Sequence, residues 1–511
     1  MKKDVVGSLD LAKVFTLAMS RGSLLTLEHA TRWLSWGKEY EDILSHLGKI
    51  ARRATCSLPE ADMQLLFDAR KLSERVDETP LAFCNAFDVQ EERPEGARRR
   101  PIFEPLINDV ISHASVACYY TRKDDIRRMV FATSHGAQYD FSAWFDQIRL
   151  DDAVRRFFAV KKDSWSFLLP VLPMGFKPSC LVAQAISSSI ADVPSSSPPV
   201  VHTAICVDNI LFMGDERKLK EVTTEFVERC DFVGARLKDR TFLCLESYDF
   251  LGEHYDHLGK SRALTEKTRE KAVFVCSVLA SSRMLTTQQI LAIFGLLLYG
   301  ASTLRICVAQ FYKAMRFLSS VAACGVMSTK HSIPDDARAD LLSWANIAAT
   351  NKPVAVWIET KEPVLDIFVD ASAFGWGALS VSANGTVLQA SGRWTLQDWK
   401  EWNLHSSVAS EPLGLRKAIA ALVPAGTSAV RIHTDHLPLF WAHHKGHAKA
   451  YSYSAALCFL RAYVGTQFTV CYIEGHKNPA DALSRAPEED HPAPYLRVTS
   501  VAGIPQNLFN G

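Results

Sequence analysis

The chain has 511 residues, enough for three to four domains. Its 57 Lys and Arg stand against 56 Asp and Glu, a formal net charge of +1. That balance excludes a histone-like polycation and, taken alone, argues against a nucleic-acid partner. Hydrophobic residues make up 48% and charged residues 22%, ordinary globular usage that argues against extensive disorder.

Residues 1–90 read as a helical lead-in. Apolar residues recur at helical spacing in Leu11, Val14, Phe15 and Leu17, and again in Leu65, Leu66, Ala69 and Leu72, with no chemistry among them. From 91 to 258 short apolar runs, such as 200–207 and 242–245, alternate with polar turns. The Ser/Pro-rich stretch 187–199 reads as an exposed loop. Residues 259–350 return to helix. Thr286 is placed to cap a helix running through Ile293 and Leu297, and Pro334-Asp335-Asp336 opens a short helix towards Trp344. Residues 351–363, with Pro353 and Pro363, form a connector. Strand and helix patterns alternate over 364–486, and 487–511 reads as a loosely ordered tail.

The longest clearly apolar run, 290–301, is too short to span a bilayer. The N-terminus, Met1-Lys2-Lys3-Asp4, lacks the apolar core of a secretory signal. The expectation is an intracellular protein, nuclear or cytoplasmic, with no membrane partner. The cysteines form no CxxC pair, so reduced, mostly buried thiols are expected rather than a zinc site.

Two segments end an apolar strand in an acid: Gln138-Tyr139-Asp140-Phe141 and Ile205-Cys206-Val207-Asp208-Asn209. Such acids are costly to bury unless a cation or donor meets them. Two from neighbouring strands can share divalent metals, which suits in-line phosphoryl transfer. Between them lies Leu172-Pro173-Met174-Gly175-Phe176-Lys177-Pro178-Ser179, whose glycine would let the backbone approach a ligand closely.

These segments resemble a reverse transcriptase palm. Residues 140–148 are similar to that family's motif A and residues 172–179 to its motif B. Cys206-Val207-Asp208-Asn209 stands where the family has Y-x-D-D, Asp249-Phe250-Leu251-Gly252 resembles the F-L-G that follows, and residues 99–108 resemble a fingers motif ending in L-N. The resemblance implies that Asp140 and Asp208 hold metal, with Asn209 in place of the second acid of the box. It implies that Phe145 excludes a ribonucleotide 2′-OH and that Arg99 meets the incoming triphosphate. Gly175 would lie against the nucleotide or primer terminus, with Lys177 also on the substrate side. Lys238 or Arg240 would supply a later basic residue. Asn209 is a neutral oxygen ligand and holds a cation less strongly than a carboxylate. Asp151-Asp152 is not the missing box; it reads as a solvated turn or helix start.

A second set of acids lies towards the C-terminus. Asp370 ends the strand 367–369, Glu411 starts a helix-like run with Pro412 in its first turn, Asp435 follows the strand 429–434, and Asp481 lies in Asn478-Pro479-Ala480-Asp481-Ala482-Leu483-Ser484-Arg485. This region is similar to a retroelement ribonuclease H (RNase H) domain. The resemblance implies that Asp370, Glu411, Asp435 and Asp481 are catalytic ligands of two metal ions, and that His476 assists product release, against the reading of a structural strand-end histidine. Gly375-Trp376-Gly377-Ala378 with Ser391-Gly392-Arg393-Trp394 resembles the DIRS-like, tyrosine-recombinase retrotransposons, and the C-V-D-N box the trypanosomatid VIPER elements.

The implied fold is an α+β multidomain chain: fingers and palm (91–258), a helical thumb/connection (259–350), the connector, and an α/β RNase H domain (364–486). The implied activity is RNA- and DNA-templated DNA synthesis with degradation of the copied RNA. It would use two Mg²⁺ per active site, with Mn²⁺ as the alternative ion. Its partners would be an RNA template, a DNA primer, the RNA–DNA hybrid, dNTPs and a separate recombinase. The competing expectation is a polymerase-inactive nucleic-acid-binding scaffold, with or without a live RNase H domain. Residues 93–128 carry a net +3 and 259–283 a net +4; on fingers and thumb these segments would track phosphate backbones, with a solvated helix face the alternative for 259–283.

Overall fold

In the computed structural model, the described residues are 5–21, 24–36, 39–50, 52–73, 79–91, 98–112, 116–192, 200–359, 362–424, 427, 429–465, 467–485 and 495–499. They fall into two compact units. The first comprises 1–250 and 255–261, the second 251–254 and 262–511.

In the first unit the N-terminal region forms helices, α1 (Leu11–Arg21), α2 (Leu24–Ser35) and α3 (Glu60–Asp68), although Ala69 and Leu72 of the second spacing fall past the end of α3. They share one core with the strands that follow. Trp36 packs on Phe157 at 4.4 Å between ring centroids, and Trp33 meets Phe176 edge-on at 6.3 Å. Strands β1 (Cys84–Glu91) and β2 (Arg98–Pro105) form an antiparallel hairpin. Strand β3 (His135–Asp140), helix α4 (Ser179–Ala191), strands β4 (His202–Cys206) and β5 (Asn209–Gly214), and helix α5 (Glu216–Val233) build a three-stranded antiparallel sheet in the order β3-β5-β4, with helices against it. Tyr139, Phe212 and Phe226 interlock between this sheet and α5, with centroids 5.2–6.2 Å apart. Burial of such rings is the main favourable contribution here.

Two expectations fail in this unit. Residues 242–244 are not strand; only Leu245 bridges Gly136. Ser187 and Ser189 are not loop but buried in α4, because their hydroxyls find carbonyl acceptors, Val207 O and Ala185 O. The Asp151 reading holds: its side chain accepts from Ala153 N and caps a short helix.

The second unit opens on four helices: α6 (Glu266–Ser281), α7 (Thr287–Leu304), α8 (Tyr312–Ala322) and α9 (Asp335–Thr350). Thr286 caps α7 in a reciprocal capping box with Gln289. Helix α9 is 16 residues long rather than short, because Trp344 anchors it in the core, stacked on Phe311 at 4.7 Å. Helix α7 is long and apolar enough to cross a membrane by length and composition, with mean hydropathy 1.3, so the run read as too short extends further. Half of it is buried among α6, α8 and α9, as in a core helix.

Next come strands β6 (Leu365–Ala371), β7 (Gly375–Ser382) and β8 (Val387–Arg393), helix α10 (Ser407–Leu422), strand β9 (Val430–Thr434), helices α11 (Leu437–Lys445) and α12 (Tyr451–Tyr463), strand β10 (Phe468–Tyr472), helix α13 (Asp481–Arg485) and strand β11 (Tyr495–Thr499). They form a six-stranded sheet in the order β10-β9-β6-β7-β8-β11. Strand β6 runs antiparallel to β7 and parallel to β9. Its alternation is clean: Ile367 and Val369 enter the core under α10 and α12, whereas Phe368 joins a smaller cluster with Leu379 and Ala480. Within the segment read as a tail, β11 pairs with β8; residues 486–494 and 500–511 lie outside the described ones. All twelve cysteines are free thiols.

Candidate active sites

In the first unit, β3 ends on Asp140 directly opposite Asn209, the first residue of β5. Asp208 sits in the tight turn between β4 and β5, where Cys206 pairs with Asn209. The turn places Val207 at φ +58, the left-handed region that a β-branched residue enters only at a cost. Helix α4 holds it there. The Gln184 side-chain oxygen accepts from Val207 N at 2.7 Å, its amide donates to Ile205 O at 3.3 Å, and Ser187 Oγ donates to Val207 O at 2.5 Å. Gln184 and Ser187 were missed in the sequence. The available signal was Gln184 and Ser187 at i and i+3 among the apolar residues Val182, Ala183, Ala185 and Ile186. Gln184→Leu strands the Val207 N–H, so it should lower stability in a urea melt by about 1–3 kcal/mol. An unchanged midpoint would show that the turn is held some other way.

Burial raises the Asp208 pKa, and the neighbouring Asp140 charge raises it further; Lys238 and the Asn209 amide oppose them. Asn209 Nδ2 donates to Asp208 Oδ1 at 3.0 Å. Lys238 ion-pairs with Asp140 Oδ2, while Arg240 pairs with Asp231. Asp140 Oδ1 is buried without a hydrogen-bond partner. One exposed lysine thus faces two acids, and a buried carboxylate oxygen is unsatisfied. A hard divalent cation fits this oxygen set.

The other expected substrate contacts are engaged within the protein. Phe145 is half-buried against the core. A Cβ at Gly175 would meet Phe103 O at 2.3 Å, so here β2 itself requires the glycine. Asn108 fastens this loop, donating to Gly175 O and accepting from Lys177 N, and Lys177 Nζ donates to Ile111 O at 2.9 Å. Arg99 lies 3.3 Å from Asp62 of α3.

In the second unit, Asp370 lies near the end of β6, and Asp435 immediately follows the parallel neighbour β9. Glu411 projects from α10, and Asp370, Glu411 and Asp435 each offer an oxygen within 4.8 Å of the others. Glu411 does not start the helix. Ser406 caps it, its hydroxyl accepting from Val408 N, and Pro412 lies inside. Proline withholds the N–H that would bond Val408 O. Ser452 Oγ of α12 donates to that carbonyl instead, which is why the helix runs through. Ser452→Ala should cost about 1 kcal/mol in a denaturant melt. Adding Pro412→Ala should recover most of it, because an alanine N–H takes over the carbonyl; a purely additive double variant would refute this.

Burial pushes the Asp370 carboxyl up to about 6, with Asp435 and Asp481 adding to the rise and a Ser484 hydrogen bond opposing it. Burial, then Asp370 and Asp435, raise Glu411 well above the ordinary range. Asp481 stands at the start of α13 with both oxygens bound by Arg485 at 2.7–3.0 Å, so the structure joins three of the four expected acids and leaves the fourth paired nearby. A backbone at Gly377 lets α13 approach; a Cβ there would meet Ser484 N at 2.5 Å. His476 is exposed beside Glu474. Trp394 is core, its indole donating to Ser372 O at 2.9 Å. Three crowded acids, with Arg485 held on neighbouring Asp481, again suit hard divalent ions.

No protein-family model matches the chain, and no curated protein matches it. Among solved structures it is similar to a foamy viral protease-reverse transcriptase in complex with double-stranded DNA (14% identity, 83% of this chain and 84% of that one, TM-score 0.47). It is also similar to that protein with an RNA/DNA hybrid (14%, 86% and 57%, TM-score 0.48), and to a dRH form with double-stranded DNA (15%, 83% and 71%, TM-score 0.47). None of these scores reaches 0.5, so the roles of residues rest on the side chains themselves.

Proposed function

We propose that the chain is a retrotransposon reverse transcriptase with RNase H activity, of the DIRS-like group and close to the VIPER-type elements. The observation that carries this reading is the pairing of Asp140 with the Asp208 turn, in motif order with the second acid cluster at Asp370, Glu411 and Asp435. Asp140 and Asp208 would hold the metal of the polymerase site; Asp370, Glu411 and Asp435, with Asp481, would hold that of the nuclease site. Mg²⁺ or Mn²⁺ would stabilise the attacking and leaving oxygens of phosphoryl transfer at each. The chain's own part is positioning. Gln184 and Ser187 fix the turn, Phe145 screens the sugar, and Arg99 exchanges Asp62 for a triphosphate. RNA template, DNA primer, hybrid and dNTPs would be its ligands, and integration would fall to a separate recombinase.

One observation favours a second reading, a polymerase-inactive scaffold: Asn209 turns its amide N–H on Asp208. The test supplies the purified protein with Mg²⁺ or Mn²⁺, dNTPs and a primed RNA template, and in parallel a labelled RNA–DNA hybrid. Extension that is lost in Asp208→Asn supports the polymerase. Hybrid cleavage without extension supports the scaffold with a live nuclease. Neither activity would overturn the polymerase reading and leave the scaffold without a live nuclease.

A further inference from the structure

One long stretch of the second unit carries no acid. Residues 436–473 hold Lys445, Lys449 and Arg461 but no Asp or Glu, in a chain with 56 acids. The stretch starts directly after Asp435 and contains α11 and β10. Strand β10 lies at one end of the six-stranded sheet, with Tyr472 opposite Thr434, the residue before Asp435. Helix α11 runs back along it: Phe440 meets Tyr472 at 6.5 Å between ring centroids, and His443 meets Phe468 at 5.2 Å. The chain then returns to the acid, where a Cβ on Gly475 would lie 3.0 Å from Asp435 Oδ2. Rings crowd the outer side of α11. Trp441 meets Phe440 edge-on at 5.1 Å, and His444 lies 4.2 Å from Phe440 and 6.2 Å from Trp441. Leu437 and Trp441, one helical turn apart, are 45% and 49% exposed, and Tyr472 is 47% exposed. Burial, with His444 beside it, pushes His443 down to about 4, so it adds a neutral ring. Lys445 and Lys449 are exposed beyond the rings.

We propose that this face is a platform for single-stranded DNA, on which Trp441 and Tyr472 stack unpaired bases while Lys445 and Lys449 meet the phosphates. Half-exposed apolar rings gathered on one surface mark an interaction site. The chemistry then selects the occupant. A segment with cations and no acid suits a polyanion, and aromatic rings beside cations suit a strand whose bases are unpaired, because every base offers a π-face. Paired bases are stacked on each other and leave the rings without a partner. The choice of DNA rests on the RNase H reading proposed above: removal of RNA from a hybrid at Asp370, Glu411 and Asp435 leaves DNA as the unpaired strand beside this face.

The test photo-cross-links the full chain to oligonucleotides carrying an iodinated pyrimidine and maps the adducts by mass spectrometry. Single-stranded DNA, in EDTA so that nothing is cut, should give adducts on Trp441 or Tyr472, and fully paired hybrid should give none there. In W441A the DNA concentration that half-saturates the Tyr472 adduct should rise about tenfold, and W441F should restore it. K445Q should make the salt dependence of that concentration shallower, by about 0.7 in the log–log slope. The proposal is overturned if single-stranded DNA links elsewhere on the chain and not here, if paired hybrid links here as strongly, or if single-stranded RNA links here in preference to DNA. Hybrid cleavage by the wild-type chain in Mg²⁺ reads the nuclease separately. Cleavage without these adducts overturns the platform alone; adducts without cleavage overturn the nuclease reading and leave the platform standing. The wild-type map decides this even if W441A misfolds.

Discussion

Asp370→Asn is expected to abolish cleavage of an RNA–DNA hybrid while leaving primer extension close to wild type. A metal's charge stabilisation is worth several kcal/mol, and at about 1.4 kcal/mol per factor of ten its loss removes about 10³-fold in rate. The same variant should stabilise the metal-free protein, because it relieves like-charge crowding among Asp370, Glu411 and Asp435. The pH dependence separates this from a general stabilising effect. A carboxyl raised from 3.8 to about 6 holds its proton more tightly folded than unfolded. Its contribution is full below its unfolded pKa and is lost as pH rises through the folded one. At 1.36 kcal/mol per unit, about two units amount to ~3 kcal/mol. Metal-free wild type should therefore lose more stability than Asp370→Asn between about pH 4 and about pH 7. Added Mg²⁺ should restore wild type by binding the folded state, with a weaker effect in the variant. Equal pH slopes in urea melts of the two proteins, or hybrid cleavage surviving in Asp370→Asn, would remove Asp370 from the site.

The acids were legible because strand periodicity is local. An apolar run that ends in Asp370 or Asp435 declares both the strand and its end. What escaped depended on partners far along the chain. Pro412 looks like a helix start because the rescue of Val408 O comes from Ser452, forty positions later. The serines after Gln184 look like the beginning of a loop because the acceptor of Ser187, Val207 O, lies in the turn between β4 and β5, twenty positions on. Gly175 reads as room for a ligand, yet the atom that would meet its Cβ is Phe103 O of β2. Composition hid the charge distribution as well. A net charge of +1 averages locally basic segments with acids spread along the chain, only a few of them at the two sites. The alternation in β6 fixed which residues enter the core, but no period in the sequence reports that Arg485 would occupy Asp481.

Asn209 is where the two readings of function part, and its variants carry the second large expected effect. Sequence alone presents it as a weaker, neutral oxygen ligand; in the structure it is also a donor, its amide directed at Asp208 Oδ1. Asp208→Asn should remove primer extension by about 10³-fold, by the same arithmetic as at Asp370, with hybrid cleavage unaffected. Asn209→Asp replaces a donor by a third acid beside Asp208, already raised by burial and by Asp140, against which Lys238 acts. At limiting Mg²⁺ the expected result is therefore a loss of extension of about tenfold, equivalent to ~1.4 kcal/mol. Excess Mg²⁺ should recover it, since a further carboxylate strengthens cation binding once the ion is abundant. Extension assays across a Mg²⁺ titration read both effects at once. If Asn209→Asp exceeds wild type at every Mg²⁺ concentration, the amide is not an adaptation of this site. If Asp208→Asn extends primers like wild type, the paired acids of β3 and the turn do not perform the chemistry.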